Sequence, residues 1–213
     1  MTKSAKDMRH NDFVENMRDI QTIHPEFTWE KAYNDAMVLW TMHDYAAFTI
    51  MEQEVGTDRA VQLYGKIWEL RSQLEWGGLC ELIGKKPEDT DFTIHDIANI
   101  MIKSFALFSN PMEIVEDTED RITLRNYDCP YTTQIIWNML TEKEAQEYNR
   151  KVQVECNYAI FETYLKLAGL FDKWLFNFPC QLCLSGKHCE FNFTRIKRPL
   201  SSAARIKTYR NKY

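Results

Sequence analysis

The apolar residues of this chain change their spacing at Asn110-Pro111, and that change restricts the folds open to it. Before it they recur every three or four residues, the repeat of a helix with one apolar face. After it short runs alternate with period two, as in strands, before a helical pattern returns. Ala36, Trp40, His43, Ala47 and Ile50 share one helical face, and Gly56 supplies the stop. Thr57-Asp58 can cap a second helix running to about Ile83, with Ala60, Leu63, Ile67, Leu70, Leu74 and Leu79 as its inner face. Gly77-Gly78 can distort its last turns, and Gly84 ends it. Two long helices joined by a tight turn predict a helical hairpin. Thr93 caps a third helix, to about Phe108.

Beyond the switch, Glu113-Ile114-Val115-Glu116 and Arg121-Ile122-Thr123-Leu124-Arg125 flank Asp117-Thr118-Glu119-Asp120, a β-hairpin signal. A helix follows Pro130. Another runs from about Glu142 to Ala168, with Val152, Cys156, Ile160, Tyr164 and Leu167 on one side. Trp174 to Phe178 and Cys189 to Ile196 read as two further strands. The expected class is α+β: a long helical hairpin plus a small antiparallel sheet with packed helices, and N- and C-terminal arms. The domains read as an arm over 1–27, a single α+β domain over 28–196 and a basic tail over 197–213. From Arg195 onward there are seven basic residues and no acidic one, a tail suited to an acidic partner or to self-association.

A chain of 213 residues is ample for a packed core. The formal charge of −5 gives no reason to expect nucleic acid. No apolar run approaches the roughly 20 residues that span a bilayer, so no membrane is expected. The N-terminus, from Met1 to Asp7, is polar and lacks a signal-peptide core. The expected compartment is the cytoplasm, where thiols stay reduced. Six cysteines there read as ligands, nucleophiles or buried apolar residues rather than disulfides.

Three of them crowd one loop. Cys180, Cys183, His188 and Cys189 fall within ten positions, around Ser185-Gly186. Cys180 and Cys183 have the spacing that lets two thiolates share a metal. Zinc takes four tetrahedral N or S ligands, and iron–sulfur clusters four thiolates. Cys129 and Cys156 would complete such a set. The same residues also fit two other roles: reactive thiols, with His188 lowering a neighbour's pKa, or small buried apolar groups. His43, beside Asp44, reads as a core histidine, a ligand or a general base. Trp29, Trp40, Trp68, Trp76, Trp137 and Trp174 serve as core or as walls of an apolar pocket for a flat organic ligand. No P-loop, dinucleotide fingerprint, zinc-protease motif or serine nucleophile elbow is present.

The run Trp40-x2-His43-Asp44-x3-Phe48-x3-Glu52-x2-Val55-Gly56, with Ala60-x2-Leu63 and Ile67-Trp68-Glu69, resembles poorly characterised proteins of anaerobic bacteria and archaea. So do Asp128-Cys129-Pro130-Tyr131, Cys156, Gly186 and Cys189-Glu190-Phe191-Asn192-Phe193. These elements are similar to the aminothiazoline-carboxylate hydrolase-like family. The Gly186…Cys189-Glu190-Phe191 ending is also similar to the vinyl-reductase-type ligand-binding domain. The resemblance covers about residues 36–196. It implies an α+β domain with a helical hairpin, cysteines converging near a small-molecule pocket, and opening of a cyclic C=N bond by water. Cys129, Cys156 and Cys189 match the family elements, while Cys180 and Cys183 stand outside them. The expected function is a small-molecule-binding protein with a Cys-rich site that can hold zinc or an iron–sulfur cluster. As a hydrolase it would use Cys129, Cys189 and His43 in catalysis. The metal set would be drawn from Cys129, Cys156, Cys180, Cys183, His188 and Cys189. The alternative is a non-catalytic accessory subunit of an anaerobic enzyme complex, with a structural metal and docking tails.

Overall fold

The computed structural model describes residues Arg18, Thr22, Pro25, Glu26, 28–129, 135–184 and 186–197. Most of the expected arm and basic tail, and the stretch right after Cys129, lie outside them. The chain divides into two compact units, 1–44 and 45–213. In the first unit Thr28 starts helix α1 (Trp29–Val55): its hydroxyl accepts the Lys31 N–H at 3.1 Å, and Lys31 pairs one turn on with Asp35 at 2.6 Å.

The second unit takes up α1 at Tyr45 and continues with α2 (Thr57–Leu82), α3 (Ile94–Ala106), β1 (Glu113–Thr118) and β2 (Arg121–Asn126). Then come α4 (Ile135–Met139), α5 (Glu142–Leu167), β3 (Trp174–Cys180), a 3-10 turn (Leu182–Leu184) and β4 (Cys189–Arg195). The four strands form one antiparallel sheet in the order β1-β2-β4-β3. This is the α+β class that the change of period predicts.

Local chemistry sets most boundaries. Thr93 and Thr141 each build a capping box, with Asp96 and Glu144 answering from the third helical position. Gly84 (φ 74°) closes α2 with its own N–H on the Glu81 carbonyl and that of Lys85 on Cys80, a left-handed stop. Ser109 (φ 54°) ends α3 in the same way, because Asn110 N–H must reach back to the Phe105 carbonyl. The start of α2 differs from expectation. Gly56 is the N-cap without a side-chain bond, and the Thr57 hydroxyl donates to Glu52 instead, at 2.7 Å. Gly77-Gly78 leave α2 unbroken.

Strand alternation builds the core. Ile122, Leu124 and Asn126 of β2 stand opposite Phe193, Phe191 and Cys189 of β4, so all six share one face of the sheet. Phe176 of β3 stands opposite Phe193 and joins them. Helix α5 crosses this face and plants Phe161 on it, with ring centroids 4.9 Å from Phe176, 5.4 Å from Phe191 and 6.4 Å from Phe193. Behind α5 lies α2, its principal neighbour. A smaller cluster gathers Phe48, Tyr64 and Tyr148 edge to face.

The inner faces of α1 and α2 match the expected ones only in part, Ala60 and Leu79 of the expected α2 face being buried. On α2 the buried residues are Ala60, Tyr64, Gly65, Ser72, Trp76, Leu79 and Cys80, while Ile67, Leu70 and Leu74 are 51 %, 56 % and 79 % exposed. On α1 Met37, Thr41 and Phe48 are buried, and Ala36, His43 and Ile50 are exposed. Close packing explains α2. The Glu155 side chain of α5 sits 3.0 Å from where a Cβ on Gly65 would stand, so the two helices approach closely at this position. The Leu and Ile residues that dominate the apolar period lie on the outer side.

Phe161→Ala should cost about 3–5 kcal/mol, since the ring is fully buried and no neighbour can refill its space. Urea unfolding should show a lower midpoint with an unchanged slope. A loss under 1 kcal/mol (by the same scale) would contradict its central place.

Candidate functional site

Past Phe191 the core face of the sheet ends in Cys189, with Asn126 opposite it on β2. Around this end the chain assembles thiols from four segments. Cys129 follows β2, Cys156 lies midway along α5, Cys183 sits in the 3-10 turn, and Cys189 opens β4. The turn is tightly wound: the N–H groups of Leu184 and Gly186 both donate to the Gln181 carbonyl, at 3.1 and 3.0 Å. A Cβ on Gly186 would meet that oxygen at 2.5 Å and the Cys180 sulfur at 2.9 Å, so the position takes only glycine.

The four thiols are buried, and none of the six cysteines is in a disulfide. Burial pushes the Cys183 thiol well up, and the nearby Cys189, Cys129 and Cys156 add to this. Burial also pushes Cys189 up to about 12, against a Leu182 N–H that favours its thiolate and with Cys129 and Cys180 working the same way as burial. These mutual influences place the sulfurs in one neighbourhood. Among the described residues, though, no three His, Cys, Asp or Glu side chains stand close enough to hold a metal as they are.

Three of the sulfurs meet an N–H. Asn110 Nδ2 reaches Cys129 Sγ at 3.7 Å, Asn157 Nδ2, bonded at 2.7 Å to the Gln153 carbonyl, also reaches Cys156 Sγ at 3.8 Å, and Leu182 N reaches Cys189 Sγ at 3.3 Å. Cys156 Sγ itself donates to the Gln153 carbonyl at 3.5 Å, and Cys183 Sγ to Gln181 Oε1 at 3.9 Å. Two of these amides are engaged at one end only. Asn110 Oδ1 and Gln181 Nε2 are buried and have no hydrogen-bond partner among the described residues, a costly arrangement. Asn126 Oδ1, on the residue opposite Cys189, is in the same state.

The other expected site residues go elsewhere. Cys180 is half-buried at the end of β3, beside the group. His188 turns to Glu190, at 3.4 Å, and lays its ring near Tyr127. Glu190 accepts from Arg125 at 2.8 Å; burial raises its pKa, but Arg125, Asn192 and His188 outweigh it and hold the carboxyl below its usual range. His43 is exposed on α1 in the first unit. Asn110, Asn157 and Gln181 were not singled out from the sequence. The available signal was an amide adjacent to a candidate cysteine at Asn157 and inside the Cys180-x2-Cys183 spacing at Gln181. Asn110 carries no such signal, because it reaches Cys129 across nineteen positions.

Fold and site together define an α+β protein with a buried thiol group at the end of an antiparallel sheet. No family model matches the chain, and no curated protein matches it. Among solved structures it is similar to a trafficking protein particle complex subunit 3 from Naegleria fowleri, crystallised covalently bound to palmitic acid. The TM-score is 0.51 at 9 % identity, over 79 % of this chain and 99 % of the other. At that identity the likeness concerns the fold. Among the described residues, no helix is long and apolar enough to cross a membrane.

The raised thiols give an alkaline signature. Between the ordinary value of 9.0 and about 12, the native chain keeps a proton on Cys189 that the unfolded chain has released. Stability should therefore fall as pH rises through that window, and Cys189→Ser should flatten the decline. Equal alkaline slopes for the two proteins in thermal melts would contradict the assignment.

Proposed function

We propose that this chain is a small-molecule-binding protein whose ligand site is built on Cys129, Cys156, Cys183 and Cys189. One observation carries the reading: buried amides beside the thiols, on Asn110 and Gln181, each keep a polar atom without a partner among the described residues. Buried polar atoms are normally paired, and a ligand reaching this end of the sheet would pair them. The palmitic acid held by the structural neighbour supports ligand binding on such a scaffold. The resemblance to the hydrolase-like family fits through Cys129, Cys156 and Cys189, and reduced thiols suit a cytoplasmic setting.

Binding is favoured over hydrolysis. A nucleophilic cysteine needs thiolate character, usually from a neighbouring imidazole or another cation. Here burial keeps Cys183 and Cys189 protonated, and His188 is paired with Glu190. Native mass spectrometry of anaerobically purified protein should show a non-covalent adduct that an Asn110→Leu, Gln181→Leu double variant lacks. A bare wild-type mass, or the same adduct on both proteins, would count against the site.

A second reading, an accessory subunit of a larger assembly, is favoured by the outer ridge of α2. Ile67, Leu70 and Leu74 form one exposed apolar line of the kind that marks interaction surfaces. The neighbour's own name is that of a complex subunit. In sedimentation experiments, wild type should self-associate at concentrations where a Leu70→Glu, Leu74→Glu variant stays monomeric with its fold intact. A monomeric wild type at every concentration would remove the self-association form of this reading.

A further inference from the structure

The sheet face that reaches Cys189 at one end of β4 finishes at the other in Arg195, with Trp174 of β3 opposite it. Around this pair lies a cavity of about 420 Å³, within the range of small-molecule sites. Along β4 it stands roughly 20 Å from the thiol group, at about 3.3 Å of rise per residue. We propose that this cavity is a second and independent ligand site, which takes a small organic monoanion: a carboxylate carried on an apolar body.

The walls are held by backbone. The Lys173 and Trp174 N–H groups both donate to the Leu170 carbonyl, at 2.9 and 3.0 Å, and the Ile196 N–H donates to the Lys173 carbonyl at 2.8 Å. Gly169 (φ 66°) turns the chain out of α5 just before them. The cavity is thus formed before a ligand arrives, which spares the cost of ordering its walls on binding.

The lining divides in two. Ile94, Leu170, Trp174 and Ile196 supply an apolar floor, and the first three belong to the buried core. The polar part is rich in donors. Lys173 lines the cavity and has no ion-pair partner among the described residues. Arg195 is tied to Glu119 at 2.8 Å, but Glu119 is 87 % exposed, so that pair is weak and most of the guanidinium donors stay open. Trp174 is 8 % exposed, and its indole N–H makes no hydrogen bond among the described residues. Ile94 opens α3, so its N–H has no partner within that helix.

Asp172 is the one anion of the lining. Two cations against one anion suit a single negative charge and disfavour the double charge of a phosphate monoester. A carboxylate also matches the planar fork of Arg195, while Trp174 offers its body a flat apolar surface. A neutral apolar ligand would cover these donors without pairing them, which is costly.

The test uses the whole chain labelled with 5-fluorotryptophan, the Trp174 resonance being assigned with Trp174→Phe. Titration with 3-phenylpropionate should move that fluorine signal to saturation, with one ligand per chain by calorimetry. 3-Phenylpropionamide, the same body without the charge, should bind about tenfold more weakly, and phenyl phosphate should also bind more weakly than the carboxylate. Lys173→Met should lower carboxylate affinity by about the same factor and leave the amide unaffected, Lys173→Arg should retain binding, and Asp172→Asn should tighten it. A Trp174 signal that does not move, equal affinities for carboxylate and amide, or weaker binding by Asp172→Asn would each overturn the proposal. So would loss of carboxylate binding in the Asn110→Leu, Gln181→Leu double variant, which would assign this ligand to the thiol site.

Discussion

The edge-to-face contact between Phe161 and the aromatic side of the sheet is the constraint on which the rest depends. Phe176, Phe191 and Phe193 bring no hydrogen-bonding groups, so their burial is driven by removal from water, about 1.5–3 kcal/mol for each ring. Once α5 lies across them, its opposite flank is fixed for α2, and its middle turn carries Cys156 to the end of the sheet. The strand period continues the same face from Phe193 through Phe191 to Cys189. Cys189 is thus the last residue of the aromatic face, where rings give way to sulfur and amide.

This continuity explains an odd mixture of chemistry. Sulfur is polarisable and packs well beside aromatic edges, so a thiol layer can follow a phenylalanine layer without a gap. Carboxylates and imidazoles cannot follow so easily, because burying their charge is costly. The charged residues near this end lie on the other side of the strands: Glu190 alternates with Cys189 and Phe191 and faces Arg125 and His188. The sheet therefore separates a neutral sulfur side from an ionic side only one residue apart in sequence.

How far the sequence discloses this differs by element. The strands, the third helix with its Thr93–Asp96 box and the long helix opened by Thr141 are legible, because capping and alternation are local signals. The coming together of Cys129, Cys156 and Cys189 is legible only through their chemistry, since no spacing links them. What is hidden is the orientation of the long helices. Counting large apolar residues favours Ile67, Leu70 and Leu74, whereas the buried stripe is chosen by closeness of approach, which rewards Gly65, Ala60 and Ser72. Asn110 is hidden for a related reason. Its meeting with Cys129 needs the whole β1–β2 hairpin to fold back first.

A side chain at Gly186 would meet two things at once, a backbone carbonyl and the Cys180 sulfur. The half-buried Cys180 is therefore a chemical handle on the loop: an adduct on its sulfur presses against the glycine and the Gln181 carbonyl around which the turn is wound. A small environment-sensitive dye attached there would report the winding and unwinding of the turn, while the buried thiols behind it keep their protons and stay unlabelled. Cys180, which stands apart from the four-sulfur group, thus becomes the vantage point from which that group can be watched.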